Sequence, residues 1–109
     1  MIEKPPAAQR GVFIKQGVSM VMAVVMINVN VDETSRVAAQ ISELPGISEV
    51  YSVAGNYDLV AIMRVKDNES VADLVSDKIR KVHGVARTET LIAFRAYSRY
   101  DLEGFFSLD

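Results

Sequence analysis

The residues best suited to bind a small molecule lie in the stretch "VAGNYDLV", residues 53–60, where Gly55 and Asn56 interrupt an apolar run. Both residue types tolerate positive φ angles, and a turn built on them exposes backbone N–H groups that can receive a carboxylate. Asp58, just beyond the turn, can pair with an ammonium group. Backbone donors for an anion beside a carboxylate for a cation would suit a zwitterion. The alternative is an ordinary hairpin turn in which Asp58 bonds turn amides.

Two hydroxyl side chains recur further along the chain, in "VARTETLI". Thr88 and Thr90 are two residues apart, so on a strand they share a face with Ala86 and Ile92. A hydroxyl can donate to a carboxylate or accept from an ammonium group, which makes both threonines candidate ligand contacts. The alternative is that the threonines only suit a strand.

Catalytic and metal-binding patterns are missing from the sequence. It has one histidine, His83, and no cysteine, which excludes thiolate chemistry and most structural zinc sites, so a metal site would need several carboxylates. There is no phosphate-binding glycine loop and no nucleophile elbow. The carboxylates of the second predicted helix form no convergent set that could bind a metal ion, and we interpret them as a solvent-exposed helix face. They are Asp67, Glu69, Asp73 and Asp77. We therefore expect no metal, no cofactor and no enzymatic activity.

A weak internal repeat indicates how these residues are positioned. Val37 matches Val75, Ile41 matches Ile79 and Gly46 matches Gly84, each pair 38 positions apart. This pattern predicts two copies of a strand-helix-strand unit. The predicted strands are residues 20–31, 47–54, 59–65 and 85–97. Thr34 and Asn68 are the expected helix caps. The predicted apolar helix faces are Val37, Ala38, Ile41 and Leu44 in one helix and Val71, Leu74, Val75, Ile79 and Val82 in the other.

The two units join at the opening stretch. Strand two would leave at Ala54 and strand three enter at Tyr57, a separation that only a tight antiparallel hairpin closes. The sequence therefore predicts an α+β, ferredoxin-like β-α-β-β-α-β fold. Its antiparallel sheet has strands one and three at the centre and both helices on one face.

Both faces of the central strands are apolar. In strand one the odd-numbered residues from Val21 to Val29 alternate with Met20, Met22, Val24 and Met26. The helices cover one face only, so the other is expected to pack on a second copy in a face-to-face dimer. Alternatively, the N-terminal segment and the C-terminal tail fold over it. The tail, residues 98–109, is itself apolar enough to dock on a neighbouring subunit, because it contains Phe105, Phe106 and Leu108.

The composition indicates one globular domain. The chain has 109 residues, is 50% hydrophobic and carries a formal charge of −2, so no charge excess favours nucleic acid or an anionic membrane. Residues 1–19 precede an apolar run that superficially copies a signal peptide but lacks a small-residue cleavage site and is too short to span a bilayer. We expect a cytoplasmic protein that contacts neither membrane nor nucleic acid directly.

Two segments, "LPGISEVYSVAGNYDLVAIMRV" and "IRKVHGVARTETLIAF", resemble one family. They contain three motifs in order: a Pro-Gly-hydrophobic helix end followed by a strand, a G-x-Y-D hairpin, and a G-V-x-R-T-E-T strand. Residues 20–97 are similar to the effector-binding RAM domain of the leucine-responsive and asparagine-responsive (Lrp/AsnC) regulators. The resemblance implies a homodimer through facing sheets, often a ring of four dimers, with amino acids bound between dimers. It maps the ligand loop onto Gly55, Asn56, Tyr57 and Asp58 and the polar strand-four positions onto Thr88 and Thr90.

The sequence departs from the family at its start. Members of the family carry a helix-turn-helix domain, whereas 19 residues precede the first strand here. Residues 1–19 are therefore interpreted as an extension of a stand-alone amino-acid sensor that modulates full-length regulators or other partners. The alternatives are an oligomerisation module without a ligand, a cofactor-free enzyme of the dimeric α/β-barrel type, and an ACT-like domain with side-by-side sheets.

Overall fold

Alternating apolar residues build a four-stranded sheet in the computed structural model, which describes residues 20–97 and Arg99. The strand order is β2-β3-β1-β4, and every neighbouring pair is antiparallel. The predicted α+β, ferredoxin-like arrangement with strands one and three at the centre is therefore confirmed. The elements are β1 (Val21–Val29), α1 (Thr34–Ser42), β2 (Ile47–Ser52), β3 (Leu59–Val65), α2 (Asn68–Asp73) and β4 (Val85–Ile92).

The core lies between one face of this sheet and both helical segments. Alternation along β1 and β3 places one set of side chains on that face, and they are inaccessible to solvent. They form one cluster with the helix residues that the 3.6-residue period predicts, so both helices cover the same face. The fully buried strand residues are Ala23, Val25, Ile27, Leu59, Ala61 and Met63, and the buried helix residues are Val37, Ile41, Val71, Leu74 and Ile79.

Both predicted helix caps are wrong by one residue. Thr34 is the first helical residue and Glu33 precedes it, without a side-chain cap bond. Asp67 caps α2 by accepting from the Ser70 backbone N–H at 2.8 Å, so Asn68 lies inside the helix. The interaction with Ser70 lowers the pKa of the Asp67 carboxyl. Asp, Ser, Thr and Asn all cap helices well, so composition does not choose between neighbouring candidates.

The second helical segment changes its winding along residues 68–81. α2 passes into a π turn at Leu74–Lys78 and a 3-10 turn at Ile79–Lys81. Leu74 and Ile79 are five residues apart, and the wider π turn lets both reach the core. The predicted apolar stripe of this segment is confirmed, whereas uniform α-helical winding is not observed.

The hairpin between the two halves is wider than predicted. β2 ends at Ser52 and β3 begins at Leu59, so the turn contains residues 53–58. The Val53 N–H donates to the Asp58 carbonyl at 3.1 Å and closes the loop at its base. The strands are also shorter than expected, because predicted strand four continues to residue 97 whereas β4 ends at Ile92.

The opposite face of the sheet, called the open face below, carries the other alternating set. Its central side chains are apolar and half-buried, with Tyr51 and Leu91 each 51% exposed beside them. Charged or polar residues border this patch on all four strands. The central members are Met22, Val24, Met26, Val60 and Ile62, and the bordering ones are Asn28, Glu49, Arg64, Arg87 and Glu89.

Two predicted segments fall beyond this description. Residues 1–19 and, apart from Arg99, residues 98–109 lie outside the described residues, so the extension and the docked tail with Phe105, Phe106 and Leu108 stay predictions. Residues 21–93 form one unit, and Met20 with residues 94–97 belongs to another. None of the described helices is long and apolar enough to cross a membrane.

Candidate functional site

The loop of residues 53–58 presents accessible backbone. Residues 53–56 are exposed, and a Cβ built on Gly55 would have no atom within 4 Å. Gly55 has a φ of +129°, whereas Asn56 does not adopt a positive φ, so only the first of the two expected positive angles is observed. The loop conformation depends on a glycine whose immediate surroundings are open to a ligand.

Asp58 ties this loop to the central strand. Its carboxylate Oδ2 accepts from the Val29 N–H at 2.8 Å, and its own N–H donates to the Ile27 carbonyl at 2.9 Å. Asp58 therefore bonds a strand amide instead of the turn amides considered from the sequence. The second carboxylate oxygen has no partner among the hydrogen bonds of the described residues. The arrangement holds a negative charge in a fixed position while leaving one oxygen for a ligand ammonium group.

Two further side chains hold the loop from the open face. The Asn28 amide Nδ2 donates to the Asn56 carbonyl at 2.9 Å. The Tyr57 hydroxyl donates to the Glu89 carboxylate in a short contact. That hydrogen bond raises the pKa of Tyr57, and partial burial and the negative charge of Glu89 add to the effect, while Arg87 opposes it. The hydroxyl is consequently a neutral donor at physiological pH.

Thr88 and Thr90 lie on the other side of the sheet from Tyr57. They pair with Ile27 and Val25, whose side chains are buried under the helices, and both threonines are half-buried. Ala86 has no paired position in the sheet, because it is the extra residue of a bulge between the Val85 and Arg87 pairings.

The predicted site residues therefore form two groups in one chain. Gly55, Asn56, Tyr57 and Asp58 are contiguous, whereas Thr88 and Thr90 lie beyond β1, on β4. Asp58 and Thr88 flank Ile27 from opposite sides, which separates their backbones by about two strand spacings, roughly 10 Å. The Asp58 carboxylate reaches β1 through the Val29 N–H, and no hydrogen bond among the described residues joins the loop to either threonine.

Two surface depressions accompany these elements. One of about 370 Å³ lies beside Thr88 and is lined by Arg80, Val85, Ala86, Arg87 and Thr88. The second, of about 410 Å³, lies against the second helical segment and is lined by Pro45, Val65, Ser70, Asp73, Leu74, Asp77 and Lys78. The loop lines neither of them. In the part of the chain that the structure describes, no three His, Asp or Glu side chains are grouped to hold a metal ion.

Three residues near the loop were not among the predicted site residues: Asn28, Arg87 and Glu89. Each is an open-face residue by alternation from Met26 or Leu91, so period-2 counting would have placed them on that face. Their proximity to the loop of residues 53–58 could not be predicted from the sequence, because it depends on which strands are neighbours in the sheet.

Comparison with known proteins identifies relatives of this domain. Residues 22–102 match the Lrp/AsnC ligand binding domain. An uncharacterized HTH-type transcriptional regulator of Pyrococcus abyssi is 41% identical over 59 residues, which are 54% of this chain and 39% of that regulator. This chain thus spans well under two thirds of the length of that relative.

Solved structures share the fold. The protein TTHA0845 from Thermus thermophilus is 48% identical, with a TM-score of 0.70 over 72% of this chain and 99% of that one. The Neisseria meningitidis transcriptional regulator NMB0573, solved as a complex with L-Met, has a TM-score of 0.67 over 78% of this chain and 56% of that one. At 14% identity the latter likeness supports the fold alone.

These matches bear on the predicted class of protein. The family is one of regulatory ligand-binding domains, and the matched curated relatives are named as transcriptional regulators, not as enzymes. The expectation of a non-enzymatic protein is therefore confirmed, as is the resemblance drawn from the three ordered sequence motifs. With the family match covering most of its length, the chain belongs to the Lrp/AsnC ligand-binding domain family.

Proposed function

We propose that this domain senses a small amino acid at the loop of residues 53–58 and passes that signal to transcription regulators or other partners. The observation that carries the proposal is the fixed Asp58 carboxylate, held at 2.8 Å by the Val29 N–H beside the exposed amides of Gly55 and Asn56. A fixed anion next to accessible backbone donors complements the two charges of a zwitterion.

The complete site in this proposal is shared between chains. Because the family resemblance implies an amino acid bound between dimers, Thr88 and Thr90 of another copy would contribute the hydroxyl contacts to a ligand at the loop. Within one chain the backbones of Asp58 and Thr88 lie about 10 Å apart across β1. The proposed assembly is a homodimer through the open face, arranged further into a tetramer of dimers. The half-buried apolar centre and polar border of that face have the anatomy of a protein interface.

The proposed partners follow from the family. Full-length Lrp/AsnC regulators, with which this domain would form mixed assemblies in the cytoplasm, are the first candidates. The domain itself contacts neither DNA nor membrane in this proposal. L-Met, the compound with which the Neisseria regulator forms its complex, is a reasonable first compound to test.

Ligand screening tests this proposal directly. Thermal-shift and calorimetric measurements with each of the twenty amino acids are expected to reveal at least one ligand. At 100 times its dissociation constant a ligand stabilises the folded state by about 2.7 kcal/mol. Asp58→Asn removes the charge and is expected to abolish binding, whereas Asp73→Asn, an exposed change on α2 away from the loop and the open face, leaves binding intact. Absence of binding to all twenty compounds would contradict the sensing role.

The open face supports a second candidate, an oligomerisation module without a ligand. Analytical ultracentrifugation distinguishes the two functions when it is combined with the screen. A stable dimer that binds no amino acid and co-purifies with a full-length regulator favours the interaction module.

A further inference from the structure

Tyr57 connects the ligand loop to a distant strand. It lies two residues before β3, while its hydrogen-bond partner Glu89 lies on β4, and β1 separates these two strands. The tyrosine ring must therefore cross β1. Glu89 pairs with Met26 and points to the open face, so the ring crosses on that face near the C-terminal end of β1.

The neighbouring residues strengthen this connection. Arg87 pairs with Asn28 and lies on the same face of the sheet as Glu89. Asn28 itself donates to the Asn56 carbonyl at 2.9 Å. Two loop residues are thus held by side chains of the open face, in addition to the Asp58 contact with Val29.

Few backbone bonds hold the loop by comparison. Its ordering depends on the bond from Val53 to Asp58 and the bond from Asp58 to Ile27. The side-chain contacts are exposed in a single chain, where water competes for the same donors and acceptors. Removing water from these groups strengthens their hydrogen bonds, because the local dielectric constant falls.

We infer that Tyr57 is a positioning residue that couples the loop to the open face, so that a second copy packed on that face orders the loop. The coupling is reciprocal, since a ligand that stabilises the ordered loop also favours the covered face. This inference rests on the homodimer of the proposed function. It assigns Tyr57 a task beyond ligand contact, because the loop and the interface share one side chain.

Hydrogen exchange without any ligand tests the coupling. The amides of Val29, Val53 and Asp58 report the loop bonds, and protein concentrations are chosen below and above the dimer dissociation constant measured by sedimentation. In the unsubstituted protein, protection of these amides is expected to rise by roughly 5-fold or more on dimerisation, the lower range of typical coupling between sites.

Matched variants separate coupling from mere dimer stability. Tyr57→Phe keeps the ring on the sheet but removes the hydroxyl, and it is expected to dimerise while losing the rise in protection. Glu89→Ala removes the acceptor and should have the same effect, which keeps the test valid if one variant folds poorly. Tyr51→Phe removes another hydroxyl from the open face, on β2, and should behave like the unsubstituted protein.

The outcomes distinguish this inference from the proposed function. A dimer whose loop protection is independent of concentration overturns the coupling and leaves amino-acid sensing intact. The same holds if Tyr57→Phe and Glu89→Ala retain the full rise. If sedimentation finds only monomer at every concentration, the proposed assembly fails, and the coupling fails with it.

Discussion

Replacing Asp58 by alanine probes the contact on which the candidate site depends. The substitution removes the acceptor of the Val29 N–H, which lies at the end of the central strand β1 and is partly buried. Without the carboxylate, this donor has no protein partner in the observed geometry. The loop then keeps only its backbone bonds and the contacts from Asn28 and Glu89.

The size of the effect follows from the type of bond. A hydrogen bond to a charged group contributes about 1.5–3 kcal/mol to stability. Because the contact is only partly buried, we expect a loss of about 1.5–2 kcal/mol in the free energy of unfolding. For a domain of this size, 1 kcal/mol corresponds to roughly 4–8 °C in Tm. Asp58→Ala should therefore lower Tm by about 6–16 °C.

Urea and thermal unfolding followed by circular dichroism measure this loss. All variants are compared at one protein concentration, since self-association makes Tm concentration-dependent. Asp58→Asn keeps an acceptor oxygen for Val29 and is expected to lose less than half as much stability, although it loses the charge for an ammonium group. Asp73→Ala, an exposed change on α2 and away from the open face, serves as the control and should shift stability by no more than about 0.5 kcal/mol.

One result would refute the reasoning. If the free energy of unfolding of Asp58→Ala is within about 0.5 kcal/mol of that of the unsubstituted protein, the contact with Val29 does not hold the loop. The Asp58 carboxylate would then not be held in position by Val29, and the proposed site would lose the fixed negative charge on which it rests.

Three further predictions address the turns, a helix cap and the interface. Gly84→Ala should destabilise by about 2–5 kcal/mol in urea unfolding, because its φ is +103° and the new Cβ would lie 2.9 Å from a Val37 methyl group. Gly55→Ala introduces backbone strain but no clash, so it should lower the free energy of unfolding by only about 1–3 kcal/mol. An equal loss for both variants would contradict the larger effect expected from the clash at Gly84. Asp67→Ala should lower Tm at neutral pH. Because its pKa is lowered in the folded state, this difference should persist above the ordinary carboxyl pKa of about 3.9 and vanish as the pH falls below it, and a pH-independent difference would argue against the cap bond. Val24→Asp, at the centre of the open face, should convert the proposed dimer to monomer in sedimentation experiments, and an unchanged dimer would place the interface elsewhere.

Local pattern was sufficient for the fold. The alternation of β1 and the 3.6-residue spacing of Val37 and Ile41 each identify one buried face, because burial of apolar side chains dominates folding energetics. The sequence pattern gave a wrong prediction where neighbouring residues are equally good helix caps, as for Asp67 and Asn68. It also failed where packing changes the helix geometry, as in the π turn that brings Leu74 and Ile79 to the core.

Some features of the candidate site could likewise be predicted from the sequence, whereas others depend on the tertiary structure. The sequence by itself determined the residue types of the loop, the glycine that permits it and the apolar character of both sheet faces. Only the tertiary structure decided that Asp58 bonds Val29, that Tyr57 crosses β1 to reach Glu89, and that Thr88 lies across the sheet from the loop. The physical reason is that these contacts join residues about 30 positions apart, and their distances are set by strand order and register, which no local spacing specifies.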